Sequence, residues 1–199
     1  MKTYCSMLIN ELQPNNLSNM NLYPHTVERL CHQHKTLKCY IDDLPPEAIY
    51  NRLSSDKFSI HETISYLTRY HHIFLNRLVR MMDEVNPYFE VYKPDDDSEF
   101  HFTCAKSTGS LLHELYRLRS DIILRIENLP SENFARVGTH SVLGRMNISQ
   151  WLEFFLLHES NQLFRIFKLA GGFWSAELGQ QNNVIYLPRL SNYIDELAV

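Results

Sequence analysis

Long apolar runs are missing from this 199-residue chain: nowhere do about 18 apolar residues follow one another, which argues against a membrane-spanning helix. The opening residues also lack the apolar core of a secretory signal, because Met1-Lys2-Thr3-Tyr4-Cys5 is followed by Asn10, Glu11, Gln13 and Asn15. The expected address is the cytoplasm, with no membrane partner. No long Lys/Arg run occurs and the formal net charge is −4, so the electrostatic footprint of a nucleic-acid binder is absent. No nucleic-acid partner is expected.

Cysteine is scarce as well. Cys5, Cys31, Cys39 and Cys104 stand at irregular spacing in a chain large enough to need no staples, and they read as free thiols. The stretch Cys31-His32-Gln33-His34 to Cys39 holds zinc-ligand residue types, yet it lacks the paired spacing of a finger and would spread around one helix. Absent too are Gly-x-Ser-x-Gly, a P-loop, Gly-x-Gly-x-x-Gly and His-Glu-x-x-His, which removes the usual signatures of serine hydrolases, nucleotide binders and zinc proteases. There is no internal repeat.

What remains is ordinary for a folded domain: 44% hydrophobic and 21% charged residues favour neither disorder nor a membrane class. Apolar periodicity marks four long helical stretches. The first spans about 26–43, with Val27, Leu30, His34, Leu37 and Ile41 at helical spacing and Pro45-Pro46 as its stop. The second starts at a Ser59 cap with Glu62 three residues on, repeats through Ile60, Ile64, Leu67, His71, Phe74, Leu78 and Met82, and ends near Asn86-Pro87.

A crossover from Tyr88 to Thr108 follows, holding Pro94 and the run Asp95-Asp96-Asp97, and is expected to be an ordered loop. The third helix covers about 110–128, and the fourth about 148–170, with Gly171-Gly172 closing it. Four such stripes bury each other only as a bundle, so the fold expected is all-α, with residues 1–172 as the domain. Residues 173–199 form a C-terminal extension for docking or dimerisation, with Val184 to Leu187 as a short strand and Leu190 to Leu197 as a short helix.

The chemistry on offer lies on the fourth helix, where the apolar seam Ile148, Leu152 and Phe155 is broken by Glu159 and Gln162. His158 and Gln162 stand one turn apart and converge on one point, either as a weak metal platform or as a buried hydrogen-bonded pair. His71 falls on the apolar stripe of the second helix and reads as a core-edge histidine or a ligand, and His72 is expected to face solvent. Glu62 serves as a capping-box residue or as a base and extra ligand. The Asp95 to Asp97 run reads as solvated charge, with cation binding as the alternative.

Three stretches together resemble the DinB-like family. They are Lys57-Phe58-Ser59-Ile60-His61-Glu62-Thr63-Ile64-Ser65-Tyr66-Leu67, then Leu112 to Leu129, then Arg136-Val137-Gly138-Thr139-His140 through Ile166. The first is similar to the family's Trp-Ser-x-x-Glu-x-x-x-His-Leu signature, Leu118-Arg119 resembles its third-helix arginine region, and Gly138-Thr139-His140, Gly144, Trp151-Leu152 and His158 carry the strongest match. The resemblance implies an up-and-down four-helix bundle with a long crossover between helices 2 and 3, often dimeric. In many members it implies a divalent metal held by three histidines, as in thiol-dependent transferases.

Carried over, the triad falls on Tyr66, His158 and Gln162, so one histidine of three is kept. The resemblance therefore implies a degraded metal site with no catalytic residue to name, and a ligand pocket formed by Tyr66, His158, Gln162 and Glu62. A phenol with a pKa near 10 and a neutral amide are poor substitutes for imidazole. The expected chain holds no resident cofactor and binds a small molecule or a partner. Two alternatives are a zinc- or nickel-dependent thiol transferase or hydrolase, in which His158 keeps the metal with Glu62, His61 or His71, and a homodimeric scaffold.

Overall fold

The fold is that of a computed structural model, which describes residues 22–52 and 57–178, the last four of these by backbone alone. Cys5 and the expected strand and helix beyond residue 183 lie outside the described residues. Helix α1 (Pro24–His32) opens on a proline, which tolerates the first turn because its missing N–H would be unpaired there. A 3-10 turn at Gln33–Lys35 separates it from α2 (Thr36–Ile41). The first expected helix is thus present but broken. After a short α3 (Pro46–Tyr50), the long α4 (Ile60–Asp83) begins with a true capping box: the Ser59 hydroxyl accepts from the Glu62 N–H at 3.1 Å, and the Glu62 carboxylate accepts from the Ser59 N–H at 2.9 Å.

The crossover is more structured than a loop. It contains β1 (Tyr88–Phe89), a 3-10 turn and α5 (Ser98–Cys104). Asp97 accepts from the Glu99 N–H at 3.1 Å to cap α5, and its carboxylate pairs with Arg69 of α4 at 2.6 Å. One member of the acidic run is therefore a structural clamp. Helix α6 (Thr108–Glu127), capped by Ser107, then packs along α4, burying Leu111, Leu115, Leu118, Ile122 and Ile126.

The connection before the fourth helix contains a 3-10 turn and then a hairpin, β2 (Val137–His140) and β3 (Gly144–Asn147). Gly144 turns it with φ of +75°, a conformation that suits glycine. The crossover strand β1 adds to β2 in parallel register, Tyr88 opposite Thr139, giving a three-stranded sheet in the order β1-β2-β3. The fold is therefore a mostly helical bundle with a small sheet and not strictly all-α. Short strands at 2 and 4 residues give no stretch of alternation long enough to read against the helical background.

Helix α7 (Ile148–Leu178) runs through Gly171-Gly172 where a stop was expected. Neither glycine takes a positive φ, so no left-handed cap forms, and Leu169, Phe173 and Trp174 continue the packing against the lower half of the bundle. The core divides into two apolar clusters. One gathers Phe74, Leu78, Met81, Ile122, Trp151 and Phe155 near the sheet; the other gathers Leu37, Ile64, Leu67, Leu111, Leu115 and Ile166.

Candidate functional site

Helices α4 and α7 present aromatic and polar residues to each other between the two apolar clusters. Tyr66 and Tyr70, one turn apart on α4, lie nearly parallel with centroids 6.1 Å apart. The His158 ring of α7 stacks on Tyr70 at 4.0 Å and stands 5.5 Å from Tyr66. The expected pairing of positions 66 and 158 is thus present as a ring contact. Tyr92 and Phe100, from the crossover, approach Tyr66 at 5.4 and 6.5 Å, and Phe58 closes the cluster at 6.3 Å. Gln162 follows His158 by one turn and is half-buried.

Burial pushes the His158 imidazole down to about 4, and the nearby Arg77 guanidinium pushes in the same direction. The ring is therefore neutral at physiological pH, and its Nε2 is buried with no hydrogen-bond partner among the described residues. Burial also raises the Tyr66 phenol well above its ordinary value, with Tyr70 adding to the rise. Arg77 lies behind this stack. Its guanidinium carbon is 5.9 Å from the Tyr70 ring centroid, 5.6 Å from Phe89 and 5.4 Å from Trp151, and its Nη2 donates to the Glu90 carbonyl at 2.7 Å.

The residues proposed to replace the missing histidines are engaged elsewhere. Glu62 closes its capping box and pairs with Arg52, whose hydrogen bond holds the carboxyl down to about 2. His61 contacts Thr108 Oγ1 and the Cys104 carbonyl, both at 2.9 Å, on the side facing α5 and α6. His71 is fully buried and not at the core edge; its Nδ1 lies 2.7 Å from the Leu67 carbonyl oxygen and its Nε2 lies 3.4 Å from Glu159 Oε1. His72 is only half-exposed and contacts Glu114 at 2.7 Å. Glu62 is accordingly engaged by Arg52 and its own helix start, not by Tyr66 or His158.

A divalent metal does not fit this donor set. One imidazole, one phenol whose burial opposes ionisation and one neutral amide supply neither the charge nor the softness that zinc or nickel draws from histidine or thiolate. No group of three His, Cys, Asp or Glu side chains among the described residues is placed to hold an ion. Cys31, Cys39 and Cys104 are free thiols.

Beneath the ring stack lies a second polar feature. Arg119 of α6 and Glu159 of α7, both fully buried, form an ion pair, and Gln33 Nε2 donates to Glu159 Oε2 at 2.8 Å. Arg119 Nη1 also donates to the Leu30 carbonyl at 3.3 Å, and its guanidinium sits 4.7 Å from the Phe155 ring. Burial alone would raise the Glu159 carboxyl, but Arg119 and then His71 hold it far below the usual carboxylate range. Tyr70 and Arg77 were not singled out from the sequence, although both fall on the buried stripe of α4, four residues before Phe74 and three after it.

The family model described as the DinB superfamily matches residues 32–163. Among solved structures, YfiT from Bacillus subtilis, described as a probable metal-dependent hydrolase with an unusual four-helix bundle topology, is similar to this chain with a TM-score of 0.66. The match covers 75% of this chain and 86% of that one at 15% sequence identity, a likeness of fold. No curated protein matches. Among the described residues no helix is long and apolar enough to cross a membrane.

Proposed function

The chain belongs to the DinB superfamily, and from that premise we propose that it is a member working without the three-histidine metal centre, in which Tyr66, His158 and Gln162 hold a small organic ligand. The observation that carries this reading is the unpartnered His158 Nε2, on a ring fixed face to face with Tyr70 at 4.0 Å. A buried polar atom without a partner is costly, and a ligand atom is the simplest means of satisfying it. The neutral imidazole offers one donor or one acceptor, the Gln162 amide offers both, and the surrounding rings favour a flat, largely apolar ligand body. Such a site binds and orients; nothing in it activates water or a thiol.

The test is metal analysis of the purified protein together with imidazole nitrogen NMR during a fragment screen. Planar fragments with one hydrogen-bonding group should shift the His158 signals, and His158→Ala should abolish their binding. Zinc or nickel at one ion per chain, lost in His158→Ala, would replace this reading with that of a metal-dependent transferase or hydrolase.

One observation favours a second reading, a homodimeric scaffold. Leu157 and Phe164, two turns apart on α7, are 61% and 58% exposed, an unusual pair of apolar side chains on one helix face. Light scattering on Leu157→Glu/Phe164→Glu decides it: a dimer that becomes monomeric supports the scaffold, and an unchanged mass removes it.

A further inference from the structure

Away from the ring stack, where α4 lies against α6, two adjoining cavities share Leu75 and Arg125. One, of about 490 Å³, has an aliphatic wall of Leu75, Leu78, Met82 and Leu124 and is also lined by Asp121, whose carboxylate pairs with Arg117, and by Asn128. The other, of about 760 Å³, is lined on one side by Arg69, Arg77, Arg80 and Arg125 with His72 and Tyr88. A largely aliphatic arm and an arginine-rich one are therefore neighbours, with Arg125 lining both.

The arginines of this surface divide sharply by partner. Arg69 pairs with Asp97 at 2.6 Å, Arg80 with Glu84 at 2.6 Å, and Arg117 beside the apolar arm with Asp121 at 2.7 Å. His72 is likewise matched by Glu114. Two guanidinium groups lack a carboxylate among the described residues. Arg125 is exposed and has no hydrogen bond or ion pair, and Arg77, only 6% exposed, is met by the Glu90 carbonyl, the Tyr70 hydroxyl and three ring faces but by no carboxylate. Glu90 is the one carboxylate lining the cationic arm, and it is exposed. A buried guanidinium without a counter-charge is an expensive arrangement, and Arg is the side chain best shaped to take a carboxylate through two parallel hydrogen bonds.

We propose that this paired cavity is a binding site for a single-chain amphiphilic carboxylate, with the alkyl chain over Leu75, Leu78, Met82 and Leu124 and the head group at Arg125 and Arg77. The charge complement selects the anion, and the adjacency of the two cavities, both lined by Leu75 and Arg125, selects a ligand with an apolar tail attached to it. The site is distinct from the ring stack, although Arg77 also lies against Tyr70. It shares α4 with the ring stack, but none of Tyr66, His158 or Gln162 lines either cavity.

Methyl NMR of the full chain titrated with hexanoate, octanoate and decanoate, each below its micellar range, tests it. Decanoate should shift the methyl signals of Leu75, Leu78, Met82 and Leu124, and affinity should rise about fourfold for each added methylene that is buried. Decanol should bind at least tenfold more weakly than decanoate, as should decanoate to Arg125→Gln, an exposed substitution that leaves the fold intact. Leu124→Asp, also exposed, should reduce the gain per methylene. His158→Ala should leave decanoate affinity unchanged, which separates this site from the ring stack. Equal binding of decanol, equal affinity of Arg125→Gln, or shifts confined to other methyl groups would overturn the proposal.

Discussion

Arg119 of α6 and Glu159 of α7 form an ion pair from which water is excluded, with side-chain exposures of 0% and 1%. Helices α6 and α7 are thereby joined at one height, and Gln33 brings the α1–α2 junction to the same carboxylate. A pair of this kind sets position more than it adds stability, because desolvating two charges consumes most of their attraction.

Breaking one side of the pair leaves the other charge buried and alone. Glu159→Gln should cost about 3–5 kcal/mol, and Arg119→Met a similar amount, in urea unfolding at pH 7. The double variant Arg119→Met/Glu159→Leu should be more stable than either single one. A double variant whose loss equals the sum of the two would show that the partners do not act as a pair.

Stability should fall in mild acid. Burial lowers the native pKa of His158 to about 4, and also lowers those of His71 and His34, below the ordinary value near 6.5. Below that value the unfolded chain binds more protons than the native one, so their contribution is complete above about pH 7 and is lost as pH falls toward 4. Each histidine adds a slope of up to about 1.4 kcal/mol per pH unit. Urea titrations at pH 7, 6, 5 and 4 should show the decline, and His158→Gln should make it shallower.

The capping box predicts a purely structural phenotype for Glu62. Ser59→Ala and Glu62→Ala should each lower stability by about 0.5–2 kcal/mol, and neither should alter fragment binding at His158. Loss of that binding with the fold retained would return Glu62 to the pocket.

Gly138 is held where a side chain has no room. A Cβ there would stand 2.7 Å from Phe89 Cε2 and 3.0 Å from Met81 Sδ, and Trp151 Nε1 donates to its carbonyl at 3.3 Å. Gly138→Ala should cost about 1–3 kcal/mol, read as a lower thermal midpoint together with a changed tryptophan emission.

If substitution at two positions removed the metal centre, reversing it should restore one. Tyr66→His/Gln162→His should bind zinc or nickel at one ion per chain in equilibrium dialysis, and either single variant should bind at least tenfold more weakly. Failure of the double variant to bind would mean that the helices no longer set those positions at metal-binding distance.

The long helices were legible because Ile60 to Met82 and Leu111 to Ile126 repeat an apolar period over many turns, and Ser59 with Glu62 announces a start. The sheet was not, since β1 is two residues long and its partner lies about fifty residues away in the chain. Gly171-Gly172 misled for a related reason: the stop signal is local, whereas the apolar contacts of Phe173 and Trp174 that carry the helix past it are tertiary. In the site, positions 66 and 158 were legible through family resemblance. Arg77 and Tyr70 were hidden, because an arginine or tyrosine on an apolar stripe declares itself only when the neighbouring rings are in place.

The parallel pairing of β1 with β2 encloses the whole of α5 and α6 in a single closed loop. Closing a loop of about fifty residues costs configurational entropy that two short strands cannot recover from their own few hydrogen bonds, so the pairing depends on α6 already lying against α4. In kinetic terms the sheet is a reporter of completed assembly. The amide hydrogens of Thr139, donated to the Pro87 carbonyl, and of Ser141, donated to the Phe89 carbonyl, should gain protection from solvent exchange only after those of the α4–α6 hairpin.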